Sequence, residues 1–174
     1  MMKKGIIISG NLAQDHEFIF PFYRLLEEDF KVDVCLLEGK PVKGILGTDL
    51  PPNKNHEVKK IEEVSPNDYD ILVLPGGVKA MEKVRQNLKI IDFITKFNNQ
   101  NKIIACICSG AQLLISAKVV KGRKIAGYYS MKDDLINAGA IYTDLPAVVD
   151  KNIITTAHYK DMGPWMKAVI KNFK

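Results

Sequence analysis

The chain has 174 residues, 47% hydrophobic and 26% charged, which is enough apolar material for one soluble domain over residues 1–174 and needs no disulfide or metal staple. Its formal net charge of +5 comes from scattered lysines, not a basic stripe, which argues against a nucleic-acid partner. No apolar run nears the roughly 20 residues that cross a bilayer. The run Gly5–Ile8 stops at Ser9, too short for a signal-peptide core, and the three cysteines make an odd number. Reduced thiols, a cytoplasmic location and no membrane contact are the expectation.

The predicted elements alternate in type. Gly5–Ser9 reads as a strand, Asp15–Glu28 as a helix despite Pro21, and Val32–Leu37 as a second strand. Val42–Leu46 and His56–Ile61 read as a two-stranded excursion around the turn Pro51-Pro52-Asn53. Ile71–Leu74 is a wholly apolar strand that ends in Pro75-Gly76-Gly77, a pattern that suits burial on both faces of a parallel sheet. Asn87–Asn98 reads as a helix, Lys102–Cys106 as a strand, Ala111–Ala117 as a helix, and Met131–Ala138 as a helix stopped by Gly139. Ala147–Asp150 and Ile153–Thr156 flank a hairpin turn at Lys151-Asn152, and Asp161–Phe173 closes the chain as an amphipathic helix. Such alternation predicts βαβ units and a mostly parallel sheet covered by helices on both faces. Ligands of open sheets of this class sit at the carboxyl ends of the strands, so the loops Ser9–Glu17, Leu74–Val78 and Cys106–Ala111 matter most.

The third of these loops passes straight from apolar strand to helix. A nucleophile on such an elbow needs small residues two before and two after it, because the chain folds back tightly there. Centring on Cys108 puts Cys106 and Gly110 at those places; centring on Cys106 or Ser109 puts an isoleucine at one of them. A thiol at a helix start feels the positive end of the dipole, which predicts a pKa below the free value of about 8.5. The Cys-x-Cys spacing has no second ligand pair, so no metal is expected. The Pro-Gly-Gly loop lacks the Gly-Lys-Ser/Thr ending of a phosphate cradle, and no cofactor is expected. The amides of Gly77 and Ser109 are the candidate oxyanion hole. Asp15 and Glu17 open the first helix as dipole-compensating acids, either of which could act on a neighbouring thiol. His16 and His158 have positions that could return them to the cleft, while His56 lies in a polar loop.

Several segments in order carry a family resemblance: Asp15–Leu25, Tyr69–Gly77, Cys106–Ala117, Lys121–Lys124, Asp133–Gly139 and Val148–Asp150. The chain resembles the ThiJ/PfpI family, within the class I glutamine amidotransferase-like superfamily, and its PfpI intracellular-protease branch in particular. The resemblance implies a flavodoxin-like three-layer α/β sandwich, a nucleophile elbow and a homodimer or larger homo-oligomer. It places Cys108 on the family nucleophile and Glu17 on the carboxylate that hydrogen-bonds it. It puts Gly77 and Ser109 on the oxyanion-hole amides, Glu82 on a carboxylate lent to a neighbouring subunit, and Tyr128 on a tyrosine near the nucleophile.

Two positions depart from that pattern. Ser109 stands where the PfpI branch has histidine, so a Cys-His-Glu triad built that way is absent. Ala157 stands where relatives often carry arginine. The resemblance then implies cysteine-dependent glyoxalase, deglycase or hydrolase chemistry on small carbonyl compounds or their adducts, with a stress-response role. Its alternatives are a redox-sensing or chaperone-like protein using Cys108 oxidation, and an intracellular peptidase acting on peptides.

Overall fold

The structure, a computed structural model, describes residues 2–173. Its strands are β1 (Lys4–Ser9), β2 (Lys31–Leu36), β3 (Val42–Lys43), β4 (Asp49–Leu50), β5 (Val58–Lys59), β6 (Ile71–Leu74), β7 (Ile103–Ile107), β8 (Lys124–Ile125), β9 (Ile141–Tyr142), β10 (Val148–Asp150) and β11 (Ile153–Thr156). Its helices are α1 (Asp15–Glu27), α2 (Val78–Val84), α3 (Leu88–Asn99), α4 (Ala111–Ser116), α5 (Lys132–Asn137) and α6 (Met162–Phe173).

A seven-stranded sheet runs in the order β10-β11-β7-β6-β1-β2-β5, parallel throughout except for the edge strand β10. Every residue of β6, β7 and β11 is buried, as expected of strands covered on both faces. Helices α1 and α6 pack together on one face; α2, α3 and α4 pack on the other. The apolar stripe of α1, with Phe18, Phe22 and Leu25, faces the sheet, and each such side chain contributes about 1.5–3 kcal/mol by leaving water. This is the mostly parallel, helix-covered sheet that the alternation of elements predicts, in the flavodoxin-like form that the resemblance implies.

The chain leaves the centre of the sheet at β1 toward β2 and β5, then returns to build β6, β7 and β11 on the other side. The order therefore reverses between β1 and β6, and a crevice opens outside the carboxyl ends of those strands. The loops after β1, β6 and β7 converge there.

Two expectations need correction. Val42–Lys43 pairs antiparallel with Asp49–Leu50, whereas Val58–Lys59 joins the edge of the main sheet beside β2. These pieces are two residues long, and period-two patterning cannot select a partner for so short a strand. Helix α2 was not anticipated, because its seven residues start directly from Gly77 without a side-chain cap. Among the described residues no helix is long and apolar enough to cross a membrane.

Candidate active site

Cys108 is the first residue after β7 and opens a single 3-10 turn that leads into α4. Its φ is +58°, a left-handed conformation that a side chain adopts only where the surroundings enforce it. The enforcement is visible at Gly110. A Cβ there would lie 2.5 Å from the Leu74 carbonyl oxygen and 2.9 Å from that of Pro75, so the elbow can press against the β6 loop only with glycine at that place. The Tyr128 N–H donates to the Cys108 carbonyl at 3.2 Å and fixes the turn from the other side.

Glu17 reaches the same point from α1. Gln14 caps that helix by accepting the Glu17 N–H at 3.0 Å, and the Glu17 side chain is fully buried. Its Oε2 accepts the Gly76 N–H at 2.8 Å. Its Oε1 is buried without a hydrogen-bond partner, and the carboxyl lies beside the Cys108 thiol, so that each group shifts the other's pKa. A Cβ on Gly76 would overlap Glu17 Oε2 and lie 2.8 Å from Cys108 Cβ and 3.0 Å from Sγ. The first glycine of Pro75-Gly76-Gly77 is thus the spacer that lets acid and thiol meet, a role that sequence reasoning missed in favour of Gly77. The signal was present in the doubled glycine after a buried strand.

The electrostatics differ from the expectation of a depressed thiol pKa. Burial pushes Cys108 up to about 12, and the Glu17 charge beside it adds to the effect; the Ser109 hydroxyl, 3.8 Å from Sγ, and the Ser109 amide pull the other way. Burial also lifts Glu17 from its ordinary 4.5 to about 7, against the lowering effect of the neighbouring thiol and the Gly76 N–H. The dipole of one 3-10 turn and a six-residue helix does not offset desolvation next to a carboxylate. The two groups titrate as a pair whose first proton leaves near neutrality and whose second is held far above it.

The cleft above this pair has a volume of about 390 Å³. Gln14, Glu17, Gly77, Cys108 and Ser109 form its floor, and Ile45, Val78, Tyr128, Ser130, His158 and Tyr159 line the remainder. Gly77 and Ser109, the expected oxyanion amides, both border it. Gly77 has a φ of +97° and sits at the start of α2. Tyr128 and His158 are on the wall as anticipated, their rings stacked at 6.2 Å. His158 Nδ1 accepts the Lys160 N–H at 3.2 Å, so the neutral ring carries its hydrogen on Nε2. In that form His158 presents a donor rather than an acceptor at Nε2, and Glu17 is the carboxylate on the cleft floor beside the thiol.

Three expected residues stand elsewhere. His16 is exposed at the rim, bound to Gln14 Nε2 at 3.0 Å and 5.5 Å from the Tyr159 ring, and does not line the cleft. Glu82 opens on a separate hollow with Arg85, Gln112 and Asp134, away from its own chain's thiol. Asp15 is structural: burial would raise its pKa, but the N–H groups of Leu46 at 2.8 Å and Thr48 at 3.0 Å hold it low. Those bonds pin the loop that carries Ile45 to the cleft wall. Among the described residues no group of three or more His, Cys, Asp or Glu is placed to hold a metal ion.

The sequence pattern of the DJ-1/PfpI family matches residues 3–172. The chain belongs to the DJ-1/PfpI family. It is 38% identical over 171 residues to Deglycase PfpI of Pyrococcus furiosus, covering 98% of this chain and 99% of that one. It is 34% identical over 165 residues to Protein/nucleic acid deglycase 2 of Escherichia coli, covering 94% of this chain and 93% of that one. The fold matches Drosophila melanogaster DJ-1beta with a TM-score of 0.89 at 24% identity, over 99% of this chain and 91% of that one.

Proposed function

We propose that this DJ-1/PfpI member is a Cys108-dependent enzyme of deglycase or glyoxalase type, acting on 2-oxoaldehydes such as methylglyoxal or on their adducts with amines and thiols. The observation that carries the reading is a thiol at a left-handed elbow beside a buried carboxylate, Glu17, whose pKa is moved to about 7. A base poised near the working pH is what proton transfer requires. The names of the Pyrococcus and Escherichia relatives support the same chemistry.

In this mechanism the Cys108 sulfur bonds to the aldehyde carbon while its proton passes to Glu17 and the carbonyl electron pair moves to oxygen. Gly77 and Ser109 line the same cleft, and in this reading their amides receive that oxyanion. Glu17 hands the thiol proton to the oxyanion, then takes the proton of the former aldehyde carbon and returns it to the neighbouring carbon. The hydroxyl proton meanwhile passes from the first oxygen to the second, which leaves a 2-hydroxy thioester. Water cleaves the thioester to a 2-hydroxy acid and restores the thiol. No oxidant is consumed.

A thiol that burial keeps protonated reacts slowly with peroxide, so the carbonyl reading accounts for the site better than an oxidation sensor does. Peptidase chemistry lacks a histidine base, since His158 Nδ1 is occupied. Three unpaired, buried thiols suit a reducing, cytoplasmic setting, where removal of reactive carbonyls is a stress function. Glu82 in this reading serves a neighbouring copy in a homo-oligomer.

The test is methylglyoxal consumption with lactate formation by the purified chain and by Cys108→Ser. The reading requires turnover that falls by about 10³-fold or more in the variant. Equal rates in the two proteins, or no lactate from either, would sink it.

A further inference from the structure

The Cys108 cleft contains one carboxylate, Glu17 on the floor, and among the described residues no lysine or arginine lines it. Lys160 is turned to Tyr129, 5.8 Å from its ring centroid, and Tyr129 in turn stacks on His158 at 6.2 Å. His158 is held with Nδ1 as acceptor, which a neutral ring satisfies. At Ala157, beside this wall, the side chain is a buried methyl group. The cleft therefore offers no fixed cation to an anionic ligand.

What it does offer is apolar surface. Ile45 is 48% exposed, Val78 47%, Tyr128 38% and Tyr159 44%, all on one hollow. The Tyr159 ring is braced by His158 at 4.0 Å and by His16 at 5.5 Å, so its face is held in place before any ligand arrives. Aromatic walls of this kind gain most from a flat or branched apolar group.

We infer that the cleft selects uncharged 2-oxoaldehydes, free or as adducts, that bear an aromatic or branched apolar tail, and discriminates against carbonyl compounds that carry a carboxylate. The inference rests on the carbonyl chemistry proposed above and adds the substrate class. A carboxylate entering the cleft would lose its water beside Glu17 with no compensating cation, which is costly. A tail packed between Val78 and Tyr159 loses only unfavourable hydration. The same charge rule acts on the product. A 2-oxoaldehyde plus water gives a 2-hydroxy acid anion and a proton, so turnover converts a neutral guest into one that the cleft holds poorly.

The experiment compares kcat/KM for phenylglyoxal, methylglyoxal and 4-carboxyphenylglyoxal in wild type and Tyr159→Ala. It also includes calorimetric titration of both proteins with mandelamide and with mandelate. Phenylglyoxal is expected to exceed methylglyoxal by about tenfold or more, with the ratio falling severalfold in Tyr159→Ala. Because the two aldehydes differ in intrinsic reactivity, the change of ratio between proteins is the diagnostic quantity. Mandelamide is expected to bind at least about tenfold more tightly than mandelate, and more weakly to Tyr159→Ala than to wild type. 4-Carboxyphenylglyoxal turned over as well as phenylglyoxal, a ratio unmoved by Tyr159→Ala, or mandelate bound as tightly as mandelamide would each overturn the inference, as would no binding of either. Loss of turnover on every aldehyde would instead overturn the reaction itself, and the titrations, which need no turnover, still read the charge and tail preference separately.

Discussion

The Gly76 amide donates to Glu17 Oε2 at 2.8 Å, and the same carboxyl lies beside the thiol of Cys108 and shifts its pKa. One backbone donor thus orients the acid, and the thiol supplies its second contact. The pair holds its charge as a unit, so moving a proton from sulfur to oxygen changes where the charge sits but not how much is buried.

Glu17→Gln keeps an acceptor for the Gly76 N–H and removes the proton acceptor for the thiol. The rate of methylglyoxal turnover is expected to fall by about 10²–10⁴-fold. In wild type kcat/KM should rise with pH through about 7, as Glu17 ionises, and this limb should vanish in the variant. A pH profile measured on both proteins checks the assignment; an unchanged limb in Glu17→Gln would rule Glu17 out as the base.

The same substitution should stabilise the fold at neutral and higher pH. Glu17 binds its proton more tightly folded than unfolded, because its pKa rises from 4.5 to about 7. The folded state then holds the extra proton between those values, and stability falls as pH climbs through the window. Glu17→Gln removes that loss. Denaturant unfolding at pH 4 and pH 8 should show the variant gaining on wild type at the higher pH only, by up to about 3 kcal/mol. A gain independent of pH would contradict the shift.

Gly76→Ala tests the spacer. The added methyl would overlap Glu17 Oε2 and press on Cys108 Cβ at 2.8 Å. A stability cost of about 1–3 kcal/mol is expected from the overpacking. Turnover at temperatures where the variant is fully folded should fall by more than tenfold, because acid and thiol are pushed apart. Full activity in a folded Gly76→Ala would show that the contact is not needed.

Asp15→Ala leaves the Leu46 and Thr48 N–H groups without their acceptor, at a cost of about 1–3 kcal/mol. The loop that presents Ile45 loosens, so KM for an apolar aldehyde should rise more than kcat falls. In wild type the Asp15 contribution is present above the unfolded pKa and is lost as pH drops through its lowered folded value. Steady-state kinetics on the variant separate this wall-positioning role from a chemical one.

The elbow was legible because its cause is local: an apolar strand, small residues at Cys106 and Gly110, and a helix directly after. Glu17 was not legible as a partner, since its contact with Gly76 spans 59 positions and no spacing rule links a helix start to a distant loop. It came from the family resemblance. The thiol pKa went the wrong way because the helix-start argument sees the dipole but neither the burial nor the acid that the fold places alongside. The aromatic brace of His158 and Tyr159 was hidden for a related reason, since Tyr128 and Tyr129 reach it from a different loop.

Cys35 and Cys106 are wholly enclosed, whereas Cys108 keeps 8% of its surface in contact with the cleft. An alkylating reagent therefore meets one sulfur in the intact fold and three in the opened chain. Counting labels by mass tells a molecule whose cleft is accessible from one that has lost its sheet. The thiols give every variant above that keeps Cys108 an internal gauge of whether lost activity reflects altered chemistry or a missing fold.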